Sequence, residues 1–297
     1  MKPKRKMSSM ERREERTGFL FLLPSFIGFL VFILIPVVWG LLLSFFDYNG
    51  FKTPKFVGLG NFVKLFQDQY FYISLKNNLF YMVVSVFFTL LFGLILAVFL
   101  NQPLKGRGIF KTVLFFPQLT SSIAFGMIFA ILFTSRGPIN GVLRSLGMMN
   151  PPKWLTDSQW VMLTITITAI IKNTGYYMIL FLAGLQSVSE DLYEAAALDG
   201  ANSFQKFRYI TWPMITPTVF LSTILCVINS FKVFDLVSQM TDGGPANSSN
   251  VLVYRIYTEA FKFSKFGYAS AYAVILFAIV MVITLIQFRG QKKWVNY

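Results

Sequence analysis

The chain has 297 residues, of which 55% are hydrophobic, only 13% are charged and 34 are phenylalanine. So much apolar surface cannot be buried in one soluble core, and the composition therefore predicts a protein of the lipid bilayer. There is no histidine and a single cysteine, Cys226, which excludes imidazole acid–base catalysis, the usual histidine zinc sites and a disulfide framework.

Six apolar stretches are long enough to cross about 30 Å of hydrocarbon as helices. They are predicted at residues 19–46, 77–100, 112–135, 160–186, 214–239 and 268–288. The first is too long for a cleaved signal sequence, and strand-like alternation of the outer-membrane barrel kind is lacking. The predicted fold is therefore all-α and polytopic, with a six-helix domain at 18–290 between an N-terminal tail, 1–17, and a C-terminal tail, 291–297.

The net charge of +14 is distributed unevenly between the two sides of the predicted membrane domain. With the N-terminus inside, the inner segments hold 15 Lys and Arg residues, and the longer outer segments hold 10. This bias follows the positive-inside rule and predicts that both termini are cytoplasmic. It also favours lipid, and not nucleic acid, as the partner of the positive charge.

The third stretch contains a proline, Pro117, with Ser121 and Ser122 one helical turn further on. We predict a kink here that frees a backbone carbonyl for a neighbour or a ligand. A kink that serves only helix packing is the alternative.

The fourth stretch has a polar residue at every fourth position: Thr164, Thr168, Lys172 and Tyr176. This spacing places all four on one face of a helix, while the other faces are apolar. A lysine near the middle of the bilayer costs at least about 2.5 kcal/mol on insertion scales, so it is expected to face protein or water. The polar face predicts a wet path through the membrane.

The fifth stretch repeats this arrangement with Ser222, Asn229 and Lys232 on one predicted face. Asp235 follows Lys232 by about one turn, close enough for an ion pair that would only brace the structure. Polar residues can also join helices without contacting cargo, so both interpretations of this face stay open.

A polar segment, residues 187–213, separates the fourth and fifth stretches. Ser187 or Ser189 can cap a short helix, and Gly200 can end it. Ala195 and Ala196 leave its surface nearly bare, so another protein's cleft could close around the backbone. The segment predicts a cytoplasmic helix that docks into a partner, and an ordinary surface helix is the alternative.

The order Glu-Ala-Ala, three residues, Gly, nine residues, Ile, one residue, a hydrophobe and Pro resembles the signature of permease subunits of binding-protein-dependent ABC importers. Glu194, Ala195, Ala196, Gly200, Ile210 and Pro213 match it, while Trp212 stands where the family usually has Leu. Flanking pieces resemble the sugar branch, which contains the maltose and glycerol-phosphate permeases. These pieces are residues 172–177, 199–201 and 241–245.

The resemblance implies a permease that takes up a carbohydrate, either a sugar or a sugar derivative, delivered by an extracytoplasmic solute-binding protein. It implies a second homologous permease subunit and two ABC ATPase subunits, in the cytoplasmic membrane of a prokaryote. The chain has no P-loop sequence, so ATP and Mg²⁺ are expected on the ATPases, and this chain is expected to bind no cofactor and to be no enzyme. The ATPase-coupling residues implied are Glu194, Ala195, Ala196, Asp199, Gly200, Ile210 and Pro213.

A sugar site needs amide and hydroxyl groups together with aromatic faces. The residues predicted to line the substrate path are Thr168, Lys172, Asn173, Tyr176, Tyr177, Asn229, Phe231, Lys232 and Asp235. The two lysines also suit an acidic sugar or a sugar phosphate, and the partner permease could hold most of the binding residues. An ion- or proton-coupled secondary carrier is the alternative function, although Asp235 is the one acidic residue predicted within a crossing.

Overall fold

The computed structural model describes residues 9–291 and residue 295. The rest of the two predicted tails, 1–17 and 291–297, lies outside the described residues. In chain order the α-helices are α1 (Ser9–Phe29), α2 (Ile35–Leu43), α3 (Gly60–Gln67), α4 (Gln69–Asn101), α5 (Arg107–Leu119), α6 (Ser122–Leu132), α7 (Pro138–Ser145), α8 (Val161–Gln186), α9 (Glu190–Leu198), α10 (Ser203–Lys206), α11 (Trp212–Ser230), α12 (Asp235–Met240), α13 (Leu252–Tyr257) and α14 (Phe266–Gln291).

Two short strands, β1 (Phe46–Asp47) and β2 (Lys55–Phe56), form an antiparallel ribbon in which Phe46 is opposite Phe56. The predicted first crossing, 19–46, therefore ends three residues too late, because Phe46 pairs in this ribbon. Helix α1 begins at Ser9, inside the predicted tail 1–17, so the helix is longer than its apolar part.

Within the described part of the chain, five helical runs are long and apolar enough to cross a membrane: Glu15–Leu43, Gln69–Asn101, Val161–Gln186, Ser203–Ser230 and Phe266–Gln291. The pair α5 and α6 makes a sixth span if it is counted as one broken crossing. The all-α, polytopic class predicted from the sequence is confirmed.

Two of these runs contain a π-helical turn just before a proline. Residues Leu30–Leu34 precede Pro36, and residues Phe207–Thr211 precede Pro213. Proline has no backbone N–H and its ring crowds the preceding turn, so a wider turn accommodates it without ending the helix. Both runs consequently continue as single, locally widened helices.

The third and fifth predicted crossings are broken. The kink predicted near Pro117 is present in the third, over 112–135, whereas the break in the fifth, over 214–239, was not predicted. Helices α5 and α6 meet at an angle of 98°. Thr120, between them, has extended backbone (φ −76°, ψ 147°), and Pro117 weakens the last turn of α5. The fifth crossing ends at Ser230, and residues 231–234 lead without helix into α12.

Helix α8 is the centre of the molecule and packs against α4, α5, α11 and the short helices α6 and α12. Its close approach to α5 depends on Gly175, because a Cβ atom there would lie 2.0 Å from the carbonyl oxygen of Leu114. Gly93 of α4 similarly allows contact with the backbone of α8 near Met178. These contacts bring the polar face of α8 beside both breaks.

Candidate cargo cavity and loop helix

A polar cavity of about 500 Å³ lies where the third and fifth spans are broken. Its walls come from α4, from the break between α5 and α6, from α8, and from the break between α11 and α12. The polar and charged residues that line it are Tyr81, Ser85, Thr89, Gln118, Thr120, Ser122, Lys172, Asn173, Tyr176, Tyr177, Cys226, Asn229, Ser230, Lys232 and Asp235.

Seven of the nine residues predicted for the substrate path line this cavity: Lys172, Asn173, Tyr176, Tyr177, Asn229, Lys232 and Asp235. Thr168 and Phe231 do not, and these two assignments are corrected. Thr168 is fully buried and its hydroxyl donates to the carbonyl of Thr164 at 2.9 Å, within its own helix. Phe231 is fully buried in the apolar core beside Met178 and Phe181.

Lys172 is held by several neighbouring groups in the wall of the cavity. It is only 7% exposed, and its Nζ donates to the carbonyls of Pro117 at 3.1 Å and Thr120 at 2.8 Å. It also lies over the ring of Phe125, 5.3 Å from its centroid. The carbonyl predicted to be freed near Pro117 is thus bound by a neighbouring side chain. The bend leaves carbonyls without helical partners, and Lys172 supplies the missing donor.

The predicted ion pair between Lys232 and Asp235 is not formed. Helix α11 ends at Ser230, so the two residues do not have helical spacing, and the predicted common face of Ser222, Asn229 and Lys232 does not continue through the break. Lys232 is exposed, and among the described residues neither it nor Asp235 has an ion-pair partner within 4.0 Å.

Two sets of lining residues were missed from the sequence. Tyr81, Ser85 and Thr89 of α4 recur every four residues, the same signal that identified α8, inside a stretch considered only for its hydropathy. Gln118 and Thr120 enter the cavity because of the 98° bend, and no periodicity in a straight helix would have placed them there.

The predicted short helix between the fourth and fifth spans is α9, and its two ends have the expected chemistry. The Ser189 hydroxyl accepts from the amide of Asp191 at 3.3 Å, so Ser189 is the N-cap. At the other end the amide of Gly200 donates to Ala197, and the amide of Ala201 donates to the carbonyl of Ala196 at 2.9 Å. Gly200 has φ +77°, which completes a Schellman end that favours glycine.

The motif residues of this segment divide into an exposed set and an anchoring set. Glu194, Ala195 and Asp199 are exposed, and Leu198 beside them, which the sequence did not single out, is 91% exposed. Ile210 and Pro213, in contrast, are half-buried at the base of the fifth span, where Pro213 occupies the first turn of α11. The Tyr193 hydroxyl lies 2.9 Å from that of Thr211 and fixes α9 to the same base.

Residues 89–294 match the family model described as the inner membrane component of binding-protein-dependent transport systems. This chain belongs to that family. The permease is 36% identical to the lactose transport system permease protein LacF of Rhizobium radiobacter, with 96% of this chain and 97% of LacF covered. It is 31% identical to the trehalose/maltose transport system permease protein MalF of Thermococcus litoralis, with 94% and 95% covered.

Among solved structures, the permease resembles a chain of a bacterial ABC transporter involved in the import of the acidic polysaccharide alginate. The TM-score is 0.85 at 25% identity, over 97% of this chain and 100% of that one. A second structure, of a bacterial alginate ABC transporter in complex with an alginate pentasaccharide-bound periplasmic protein, gives a TM-score of 0.82 at 25% identity, over 95% and 96%. The permease is thus a multi-pass membrane subunit of an ABC importer.

Proposed function

We propose that this permease conducts a carbohydrate through the polar cavity between the broken third and fifth spans. The observation that carries the proposal is the combination of amide, hydroxyl and aromatic groups in one cavity inside an otherwise apolar domain. The relatives named for lactose and for trehalose/maltose transport support the substrate class, as does the likeness to the alginate importer.

The lining side chains have the chemistry that a sugar requires. Asn173 and Asn229 offer amides, and Tyr176 and Tyr177, whose rings meet edge to face at 5.1 Å, offer faces and hydroxyls. A sugar hydroxyl both donates and accepts hydrogen bonds, so an amide or phenol group can either donate a hydrogen bond to it or accept one from it. Lys232, exposed in the same cavity, would contact an acidic sugar or a sugar phosphate.

Helix α9 is the element that we assign to coupling with an ATPase. Its exposed residues Glu194, Ala195, Asp199 and Leu198 would enter a cleft of the ATPase, with Ala196 and Gly200 shaping the helix. Ile210 and Pro213 would hold its base. This places α9, both termini and the inner segments in the cytoplasm of a prokaryotic cell.

In this scheme the complex contains a second homologous permease, two ABC ATPases that bind ATP and Mg²⁺, and an extracytoplasmic solute-binding protein. Helix α9 is joined to α8 by residues 187–189 and to α11 through α10, and Tyr193 fixes it at Thr211. Closure of the ATPases would therefore move α8 and α11, which both line the cavity. Access would then alternate from the outer to the inner side without chemical change to the cargo.

Reconstituted transport tests this function. A thermal-shift screen of the solute-binding protein encoded with the permease, against neutral and acidic sugars, first selects the sugar. The permease, its partner subunits and that binding protein are then placed in liposomes. We expect the selected sugar to accumulate on the side of the membrane that carries the ATPases, and only when ATP is supplied on that side. Uptake that proceeds without ATP and follows an imposed proton or sodium gradient would contradict the proposal and favour a secondary carrier.

A further inference from the structure

The two helix breaks face each other across the cargo cavity. Residues 120–121 separate α5 from α6, and residues 231–234 separate α11 from α12. Thr120 and Ser122 line the cavity at the first break, and Lys232 and Phe234 line it at the second. Both spans are therefore interrupted at the level where cargo would lie.

The segments beyond the breaks form one packed unit. Helix α6 lies directly against α12, because a Cβ atom on Gly126 would be 3.3 Å from Cβ of Gln239 and 3.4 Å from Cδ2 of Leu236. Phe125 and Val237 belong to the same buried core. We call α6 and α12 together the lid. Close packing of this kind favours movement of the two helices as one body.

One side chain of the unbroken helix α8 interacts with the first break and with the helices on both sides of it. The Lys172 ammonium donates to Pro117, in the last turn of α5, and to Thr120, in the break itself. It lies over the ring of Phe125, in α6. Asp235, the first residue of α12, lines the same cavity, and its negative charge favours the ammonium from beyond ion-pair distance. A single buried cation thus contacts the first break and α6 directly, and α12 is linked to it only through charge.

We propose that Lys172 is a positioning residue that fixes the lid over the cargo cavity and contacts cargo little or not at all. The proposal rests on the proposed role of this cavity as the cargo path. An ammonium in a buried site needs hydrogen-bond partners, so the bend from which α6 leads into the lid cannot change without breaking or exchanging the two carbonyl contacts. The cation that faces cargo is then Lys232, which has neither a carbonyl nor an ion-pair partner among the described residues.

The lid position can be measured without knowing the cargo. Nitroxide labels on I128C, in α6, and V83C, in α4, report the distance between the lid and a helix outside it, because both positions are exposed. The full complex in nanodiscs is used without nucleotide, and a sample lacking the introduced cysteines controls for the buried Cys226. We expect one main distance in the parent. In Lys172→Met a second distance should gain at least about tenfold in population, as expected for the loss of hydrogen bonds from a charged donor.

Two variants separate positioning from a general effect of charge. Lys172→Arg should restore the parent distance, because a guanidinium can donate to the same two carbonyls, and Lys232→Met should leave it unchanged. Asp235→Asn, which removes charge without changing shape, should give a smaller shift of the same kind and decides the question if Lys172→Met does not assemble.

A parent-like distance in Lys172→Met, or the same shift in Lys232→Met, would overturn the proposal. Absence of ATP-dependent sugar uptake by the parent complex would instead contradict the proposed function.

Discussion

The Asp242 carboxylate, in the loop that follows the lid, is held by two neighbouring side chains. The Lys262 ammonium donates to both of its oxygens at 3.0 Å and to the Tyr254 hydroxyl at 2.9 Å, and that hydroxyl donates to Asp242. The hydrogen bond from Tyr254, followed by that from Lys262, holds the pKa of Asp242 below its ordinary value of 3.8. The same contacts raise the pKa of Lys262 above 10.5.

This cluster predicts a pH dependence of the loop at residues 241–250. A lowered carboxyl pKa stabilises the loop above the ordinary value of 3.8, and this contribution disappears as the pH falls through the lower folded value. The raised pKa of Lys262 acts in the opposite sense, so its contribution disappears only as the pH rises through a value above 10.5. We expect hydrogen exchange of the loop to be slower in the parent than in Asp242→Asn at neutral pH. That difference should vanish near about pH 2, and a difference that persists there would contradict the assignment.

At the scale of single residues, the sequence located seven of the residues that line the cavity but not the use of each side chain. The four-residue spacing in α8 found Lys172 and Tyr176 because helical periodicity reports which face a residue occupies. It could not distinguish Thr168, whose hydroxyl is bound to its own helix, from a hydroxyl that faces water. Nor could it show that Lys172 would be bound by Pro117 and Thr120, since that contact depends on a bend of 98°.

Among the elements, the contact between α5 and α8 predicts a large effect of a small substitution. A Cβ atom at Gly175 would lie 2.0 Å from the carbonyl oxygen of Leu114, so Gly175→Ala forces the helices apart. We expect a loss of about 1–3 kcal/mol in the free energy of unfolding. Thermal unfolding in detergent measures it. Gly28→Ala is the matched control, because a Cβ atom there has no neighbour within 4 Å. An equal stability of both variants would show that α5 does not pack on α8 in this way.

The glycine that ends α9 predicts a specific loss of ATPase binding. Gly200 has φ +77° and open space around it, so Gly200→Val introduces backbone strain of about 1–2 kcal/mol without a steric clash and should unwind the end of the helix. Gly147 has φ +94° and equally open space, in the loop after α7. Gly200→Val should therefore release the ATPases on co-purification, whereas Gly147→Val should retain them. Retention in both variants would count against α9 as the docking element.

Element boundaries were predictable where a single local signal determines them. The fourth span lies within one residue of its predicted limits. Helix α9 begins after Ser189, one of the two serines named as possible caps, and ends before the predicted glycine, Gly200. The break at 231–234 contains neither proline nor glycine. Packing of α12 against α6 accompanies it, and this contact between residues more than 100 positions apart leaves no trace in local sequence.

In the whole molecule, helices α8 and α11 join the cavity to α9, because both line the cavity and both are connected to α9. Helix α8 passes the cavity at Lys172, ends at Gln186 and leads into α9. Helix α11 begins beside the Tyr193–Thr211 contact and reaches the cavity at Asn229. From Tyr177 to the end of α8 is about 14 Å at 1.5 Å per residue. The polytopic class and the family were predictable from the sequence. The shape of the cavity was not, because it arises from the two breaks.

The central claim is that α9 lies in the cytoplasm and is held by an ATPase, and two exposed positions on opposite predicted sides test it directly. Leu198, at the end of α9, is 91% exposed, and Met149, in the loop after α7, is 92% exposed. A membrane-impermeant maleimide added outside intact cells should label Met149→Cys and leave Leu198→Cys unlabelled. In the same cells a short membrane-permeant reagent that joins a thiol to a lysine amine should link Leu198→Cys to the ATPase subunit. Labelling of Leu198→Cys from outside, or its failure to cross-link while the complex stays intact, would contradict the account.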